Sequence, residues 1–387
     1  MSSNPDHSRI PALDGVRGLA ILWVVLHNSM YFEFPFPNRG LTWIIAVIAA
    51  SGWIGVQIFF VLSGFLITGN LLDSQRAENY YPAFFGRRIL RIFPLYYSML
   101  LVLLVLLPLL APSAAPPGNR ADQIWLWVFL FNWFHPLGAS TFGLTQFWSL
   151  AVEEQFYLLW PFTIHRLRLP TVAKVCAGLI VTALIVRIAM RLGGANPDMV
   201  YEFTVCRMDA LALGALAAVA VRTPTVFSNL RHRAAWLMPS ALMLLLVGAT
   251  FTRAYARDGF WTQTAGQSLL AIVSGLLILA CLMDRTGVNG WVQRIFASPV
   301  LRSLGKYSYG MYVIHLPLEL ILKRDPWYAH GNSGILAYGG AILGASYLAA
   351  VLSYHLIEKH FLKLKDRFVP QTLERAPKGV PHAAADC

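Results

Sequence analysis

The sequence is short of charge. Only 13% of its 387 residues are Asp, Glu, Lys or Arg, while 57% are hydrophobic. A soluble domain carries about 25% charged residues, so a water-soluble globular chain is excluded and a polytopic membrane protein is indicated. Cysteine is scarce too. Cys176, Cys206, Cys281 and Cys387 have neither metal-ligand spacing nor the density of a disulfide framework, and no metal site is indicated. A cleavable leader is not expected: the opening MSSNPDHSRIP is polar, and no small-residue cleavage site closes the first apolar stretch, which reads as retained. There is no visible internal repeat and no pair of broken hydrophobic segments, which weighs against a transporter built from inverted repeats.

What the chain has instead is long apolar runs. Ten are long enough to span a bilayer, at about 17–35, 42–71, 93–111, 147–165, 172–190, 205–221, 235–252, 264–283, 306–323 and 334–356. A brief aromatic run at 124–134 reads as interfacial. The expected fold is therefore an all-α bundle of about ten transmembrane helices over 9–368, with 369–387 a disordered tail. A net charge of +12 would suit nucleic acid, but its distribution argues otherwise. With the N-terminus inside, about two-thirds of the 31 Lys and Arg fall on cytoplasmic segments, the positive-inside asymmetry. Both termini are then cytoplasmic, and no nucleic-acid partner is expected.

Polar residues inside these runs carry the functional signal. In FWSLAVEEQFYLLWP, residues 147–161, Glu153 and Glu154 interrupt a membrane helix. Ser149, Glu153, Tyr157 and roughly Trp160 share one helical face. A carboxylate at that depth costs roughly 2.5–3.5 kcal/mol on insertion scales and so faces a bundle interior or a wet cavity. A structural carboxylate paired with an arginine is the plain alternative.

The first span carries Asp14 and Arg17 at i, i+3, placed to pair at the cytoplasmic rim, and His27 about 15 Å further along. A membrane histidine is often only an interhelical hydrogen-bonder. It is also the obvious general base, since an imidazole accepts a proton near neutrality. In FFGRRILRIFP, Arg87, Arg88 and Arg91 cluster on one side of a turn. They serve either as positive-inside anchors for anionic lipid or as a multi-donor phosphate clamp. Pro94 is expected to restart the helix as the third span.

Arg207 and Asp209 are two residues apart and seek different partners, and Glu153 or Glu154 is the expected partner of Arg207. Ser308, Tyr312 and His315 form a polar stripe at i, i+4 and i+7, with Pro317 a candidate kink. Gly64 beside Ser63 reads as a close-packing site, and His135 as merely interfacial.

Together these motifs resemble the acyltransferase-3 family of membrane O-acyltransferases. The resemblance rests on DGVRG with His27, FFVLSGFLIT, RRILRIFP, FWSLAVEEQFYLLWP, RMDALALG, SYGMYVIHLP and YHLIEK. They occur in family order from about residue 9 to 365.

The resemblance implies ten transmembrane helices in a bacterial cytoplasmic membrane. It also implies transfer of an acyl group, most often acetyl, from cytoplasmic acyl-CoA to a hydroxyl of a polysaccharide, lipid-linked glycan or glycosylated small molecule. Acetyl-CoA is then a donor substrate, with no bound cofactor and no metal. By motif, Arg17 and His27 match the family's first-span Arg and His, Arg87, Arg88 and Arg91 its basic motif, Glu153 its span-four acid, and Arg207 its span-six Arg.

One spacing departs from the family. Ten residues separate Arg17 from His27 where eleven are usual, leaving the two about 80° apart on a helix, with Asn28 at the eleventh step. Either a local π-bulge restores the geometry or the two need not share a face. No appended esterase-like domain is expected, and the chain is then expected to finish transfer alone or with a separate extracytoplasmic transferase.

The expected roles follow. Arg87, Arg88 and Arg91, with Arg17, hold the donor phosphates. His27 acts as general base or transient acyl carrier, and Glu153 orients it or binds acceptor. Arg207, Tyr312 or Ser308 stabilise the oxyanion or position the sugar, with Ser149, Tyr157 and His315 beside them. The rival class is a transporter or flippase of a glycan or lipid-linked substrate.

Overall fold

The computed structural model describes residues 10–30, 41–252, 256–283 and 287–371, and every regular element among them is a helix. The first span is α1, Pro11–Met30, an uninterrupted α-helix that contains no π-bulge.

The run at 42–71, expected as one span, is two helices: α2, Leu41–Ala50, and α3, Ile54–Asp73. Thirty residues of continuous helix would reach about 45 Å, well beyond a hydrocarbon core of about 30 Å. The break falls at Gly52, which lies against α1: a Cβ there would sit 2.2 Å from the carbonyl oxygen of Trp23.

The third span corrects a second expectation. Pro94 lies inside α4, Tyr80–Leu100, and does not restart it. Helix continues through a π-turn at Leu101–Leu106 to Leu110, so one 31-residue rod carries the arginine cluster at its foot. Proline removes one backbone donor, which a membrane helix tolerates when neighbours satisfy the freed groups.

The remaining long helices are α5, Phe147–Arg166, α6, Leu169–Leu192, α7, Thr204–Val221, α8, Leu237–Phe251, and α9, Gln267–Leu282. A short α10, Gly287–Phe296, leads into α11, Pro299–Ile321, which runs through Pro317, and α12, Gly331–Ser353, closes the bundle. The interfacial run breaks into short turns, Gln123–Trp127 and Phe131–Phe134. Near the C-terminal end, Val369 and Gln371 bond to Asn79 and Glu78; the tail beyond 371 lies outside the described residues.

Seven stretches among the described residues are long and apolar enough to cross a membrane, and the chain is an integral membrane protein. α1, α5 and α11 have matching lengths of 20, 20 and 23 residues but fall outside those seven because of their polar side chains. These three polar helices belong inside the bundle, while α6 and α8 are mostly exposed to lipid, only 22% and 17% buried. Two glycine crossings set the packing. Gly18 of α1 and Gly305 of α11 lie against each other's helices, where a Cβ would come within 1.9 Å of Leu301 O or 1.8 Å of Asp14 O. Gly64 of α3 and Gly214 of α7 do the same, at 2.0 Å and 1.9 Å. Small residues let membrane helices approach backbone to backbone, and Gly64 has the packing role its sequence context indicated.

Candidate active site

Five helices converge on one cleft, and each presents at least one polar side chain to it. α5 contributes Ser149, Glu153 and Tyr157, α11 Ser308 and Tyr312, α4 Arg88 and Arg91, α3 Phe59 and Ser63, and α1 Arg17. The i, i+4, i+8 pattern on α5 is what turns three polar residues to one side of an apolar helix. The cleft is half-open and offers about 90 Å³, room for a short acyl group.

Glu153 sits in the cleft with both oxygens engaged. Oε1 accepts from the Ser63 hydroxyl at 2.9 Å and Oε2 from the Tyr157 hydroxyl at 2.8 Å. The Arg88 guanidinium lies over the Tyr157 ring, 4.4 Å from its centroid. One layer along, the Ser149 and Tyr312 hydroxyls bond to each other, and the Tyr312 hydroxyl also reaches Gln146 O at 2.9 Å. The Ser308 hydroxyl donates to Gly305 O at 2.9 Å.

A second cavity of about 180 Å³ lies beside the cleft, at the end of the bundle that holds the start of α1. Arg17, Arg91 and Tyr309 line both spaces. The outer cavity, called here the vestibule, adds Arg302 and Lys306 of α11 with Asp14 and Glu358. Its cations outnumber its carboxylates, and Arg17 and Asp14 approach to 4.0 Å. Arg87 lines neither cavity; its Nε donates to Ala83 O at 2.9 Å.

The two histidines stand apart from the cleft wall. His27 is buried, and its Nδ1 bonds Ala49 O at 2.8 Å. A carbonyl only accepts, so Nδ1 carries the proton and Nε2 is the basic nitrogen. His315 is fully buried; its Nδ1 faces Tyr312 O at 2.8 Å and Nε2 takes the Asn28 amide at 2.9 Å. Asn28, at the eleventh step from Arg17, is thus the α1 residue that meets His315. Arg17 and His27 do not share a helical face.

Arg207 has a different environment from the one expected. It is wholly buried and donates to Gln57 Oε1 at 2.6 Å, not to a glutamate. Phe60, Trp148 and Tyr201 surround its guanidinium at 5.2, 5.6 and 5.0 Å. Glu153 is already satisfied by two hydroxyls, and aromatic faces suit a cation, so the cage takes the place of an ion pair. Asp209 turns the other way, to Arg187 at 2.8 Å and the Ser268 hydroxyl at 2.7 Å. His135 is more than interfacial: its Nδ1 meets Glu202 Oε2 at 2.9 Å.

Sequence reading missed Ser63 as a carboxylate partner, Gln57, the Arg187–Asp209 pair, and Arg302 with Lys306. The last two had a visible signal, two cations at i, i+4 entering the SYGMY stripe. Among the described residues no group of three or more His, Cys, Asp or Glu side chains could hold a metal ion.

Comparison with known proteins meets this geometry. The family model described as an acyltransferase domain matches residues 10–354. A Bacillus subtilis protein named as a candidate peptidoglycan O-acetyltransferase is 31% identical over 379 residues, covering 91% of this chain and 55% of its own. The peptidoglycan O-acetyltransferase of Listeria monocytogenes is 29% identical, covering 90% of this chain and 55% of its own. A candidate O-acetyltransferase of Staphylococcus aureus is 26% identical, over 95% and 61%. The chain thus spans little more than half the length of the curated relatives it matches. No solved structure matches it. With residues 10–354 matched by that model and the polar cleft built from the same segments, the chain belongs to the acyltransferase-3 family.

Proposed function

We propose that the protein is a membrane O-acetyltransferase that takes an acyl group, by default acetyl, from acyl-CoA and places it on a hydroxyl of a glycan. The observation that carries this reading is that a basic vestibule and a narrow polar cleft share Arg17, Arg91 and Tyr309 in their walls. A donor with an anionic head, a slender arm and a small reactive end has that shape. The names of the relatives point to peptidoglycan as the acceptor, and the chemistry asks only for a hydroxyl. The vestibule faces the cytoplasm of a bacterial cytoplasmic membrane, where acyl-CoA is found.

In the reaction, Arg17, Arg88 and Arg91 hold the donor as fixed cations. The acceptor approaches from the opposite end of the bundle, past His27. His27 lies outside the cleft wall, so the bound acceptor bridges the two: His27 Nε2 takes the hydroxyl proton as the acceptor oxygen bonds to the thioester carbonyl carbon. The Ser149 and Tyr312 hydroxyls turn their protons from each other and from Gln146 O to the oxyanion of the tetrahedral intermediate. Its collapse breaks the carbon–sulfur bond, and the thiolate leaves as coenzyme A after taking up the proton carried by His27. Glu153 keeps Ser63 and Tyr157 in place and, through Tyr157, the Arg88 side chain.

The test uses membranes carrying the wild type or His27→Ala, with acetyl-labelled CoA and glycan acceptors. Label should enter the acceptor with the wild type and fall at least a hundredfold with His27→Ala, at equal protein abundance. Retained transfer would remove His27 from the chemistry, and label trapped on the protein would make it an acyl carrier.

A further inference from the structure

The vestibule holds two cations that the proposed reaction leaves without a task. Arg302 and Lys306 lie on successive turns of one face of α11, both are exposed, and both line the outer cavity but not the cleft. Neither makes an ion pair or hydrogen bond among the described residues. Lys306 lies about the rings of Tyr307 and Tyr354, its ammonium 5.0 Å from each centroid. The other charges of the vestibule are partly spoken for: Asp14 faces Arg17, and Glu358 accepts from the Ser353 hydroxyl at 3.3 Å. Arg17 and Arg91 differ from the outer pair in lining both spaces, so they stand at the throat.

This ordering sorts the donor's phosphates. From Tyr312 to Arg302 is ten residues, about 15 Å along the helix axis, so α11 runs from the reactive layer to the mouth of the vestibule. The pantetheine arm is itself about that long when extended, so a thioester lodged beside Tyr312 brings the nucleotide's phosphates out among the cations of the vestibule, the diphosphate on the Arg17 and Arg91 side and the 3′-phosphate outermost. Accepting the acyl-CoA reading above, we infer that Arg302 and Lys306 bind the 3′-phosphate of the donor nucleotide, with Tyr354 offering an aromatic face beside it. They are donor-specificity residues: they distinguish CoA from donors that share its thioester and arm but lack that phosphate. A dianionic phosphate against two cations makes charge-assisted contacts, the strong kind.

The test measures binding, apart from turnover. The full chain, purified in detergent, is titrated calorimetrically with CoA and with dephospho-CoA, as wild type and as Arg302→Gln/Lys306→Gln. The wild type should bind CoA roughly tenfold or more tighter than dephospho-CoA. In the double variant that preference should collapse towards one, through weaker CoA binding and unchanged dephospho-CoA binding, which also shows that the variant is folded. A preference kept by the variant, or absent from the wild type, would overturn the assignment. CoA binding with the preference kept would leave the donor reading standing, whereas a wild type that binds neither nucleotide would remove both.

Discussion

A carboxylate and a guanidinium inside a membrane bundle are each stable only with partners, and this protein supplies them differently. Glu153 has two hydroxyl donors and Arg207 one amide oxygen and three aromatic faces. Breaking the first should be a matter of activity more than folding. Glu153→Gln keeps an acceptor for one hydroxyl, so protein abundance should hold while transfer of labelled acetyl falls by tenfold or more; unchanged transfer would exclude Glu153 from the site. Arg207 should behave in the opposite way. Gln57→Leu removes its hydrogen-bond acceptor and leaves a buried cation under-satisfied, a loss of about 1–3 kcal/mol, read as a lower unfolding temperature in detergent. Arg207→Lys should not rescue the site, because an ammonium lacks the planar group that lies among those rings.

At the scale of helices, backbone approach and one buried ion pair do the positioning. Gly18 and Gly305 bring α1 and α11 together, and those helices carry Arg17, His27, Ser308 and Tyr312. Gly305→Leu should force them apart and abolish transfer together with thermal stability, since the obstructing atom is the Asp14 carbonyl and not a movable side chain. Arg187 holds α7 by bonding Asp209 and Cys206 O on either side of Arg207. Arg187→Met should cost about 3–5 kcal/mol by stranding Asp209, and adding Asp209→Leu should restore much of it. If the double variant is no more stable than the single one, the pair is not what stabilises α6 against α7.

How far the sequence could be read follows from the same elements. Periodicity located the helices and put Ser149, Glu153 and Tyr157 on one face, because i, i+4 stacking is a property of a single helix. The break at Gly52, the passage of α4 through Pro94 and the partner of Arg207 depend on what another helix presents, and no single segment contains that information. Cations at a membrane border have an ordinary anchoring role, so the i, i+4 spacing of Arg302 and Lys306 does not by itself mark a site. Their place in the wall of one cavity is visible only once the space between α1, α4 and α11 exists.

The whole molecule has two unlike ends. One is the basic vestibule; the other, beyond α1's last turn, includes the His135–Glu202 pair. Burial pulls the His135 imidazole down, but the hydrogen bond and charge of Glu202 outweigh it and hold its pKa above 6.5. A group whose folded pKa is raised contributes stability that is fully present below the unfolded value and lost as pH rises through the folded one. Thermal stability in detergent should therefore decline as pH rises above about 6.5, and His135→Gln should flatten that slope. A slope unchanged in the variant would assign the pH dependence to other groups.

The central claim is directional: an anionic acyl donor enters at the vestibule and its acyl group leaves on a hydroxyl. Sealed membrane vesicles of opposite orientation test it most directly, because acetyl-CoA does not cross a bilayer. With labelled acetyl-CoA outside, vesicles exposing the face with Arg91 and Arg302 should transfer label to glycan hydroxyls, and vesicles of the other orientation should not. Equal transfer from both orientations, or transfer only from the second, would contradict the account.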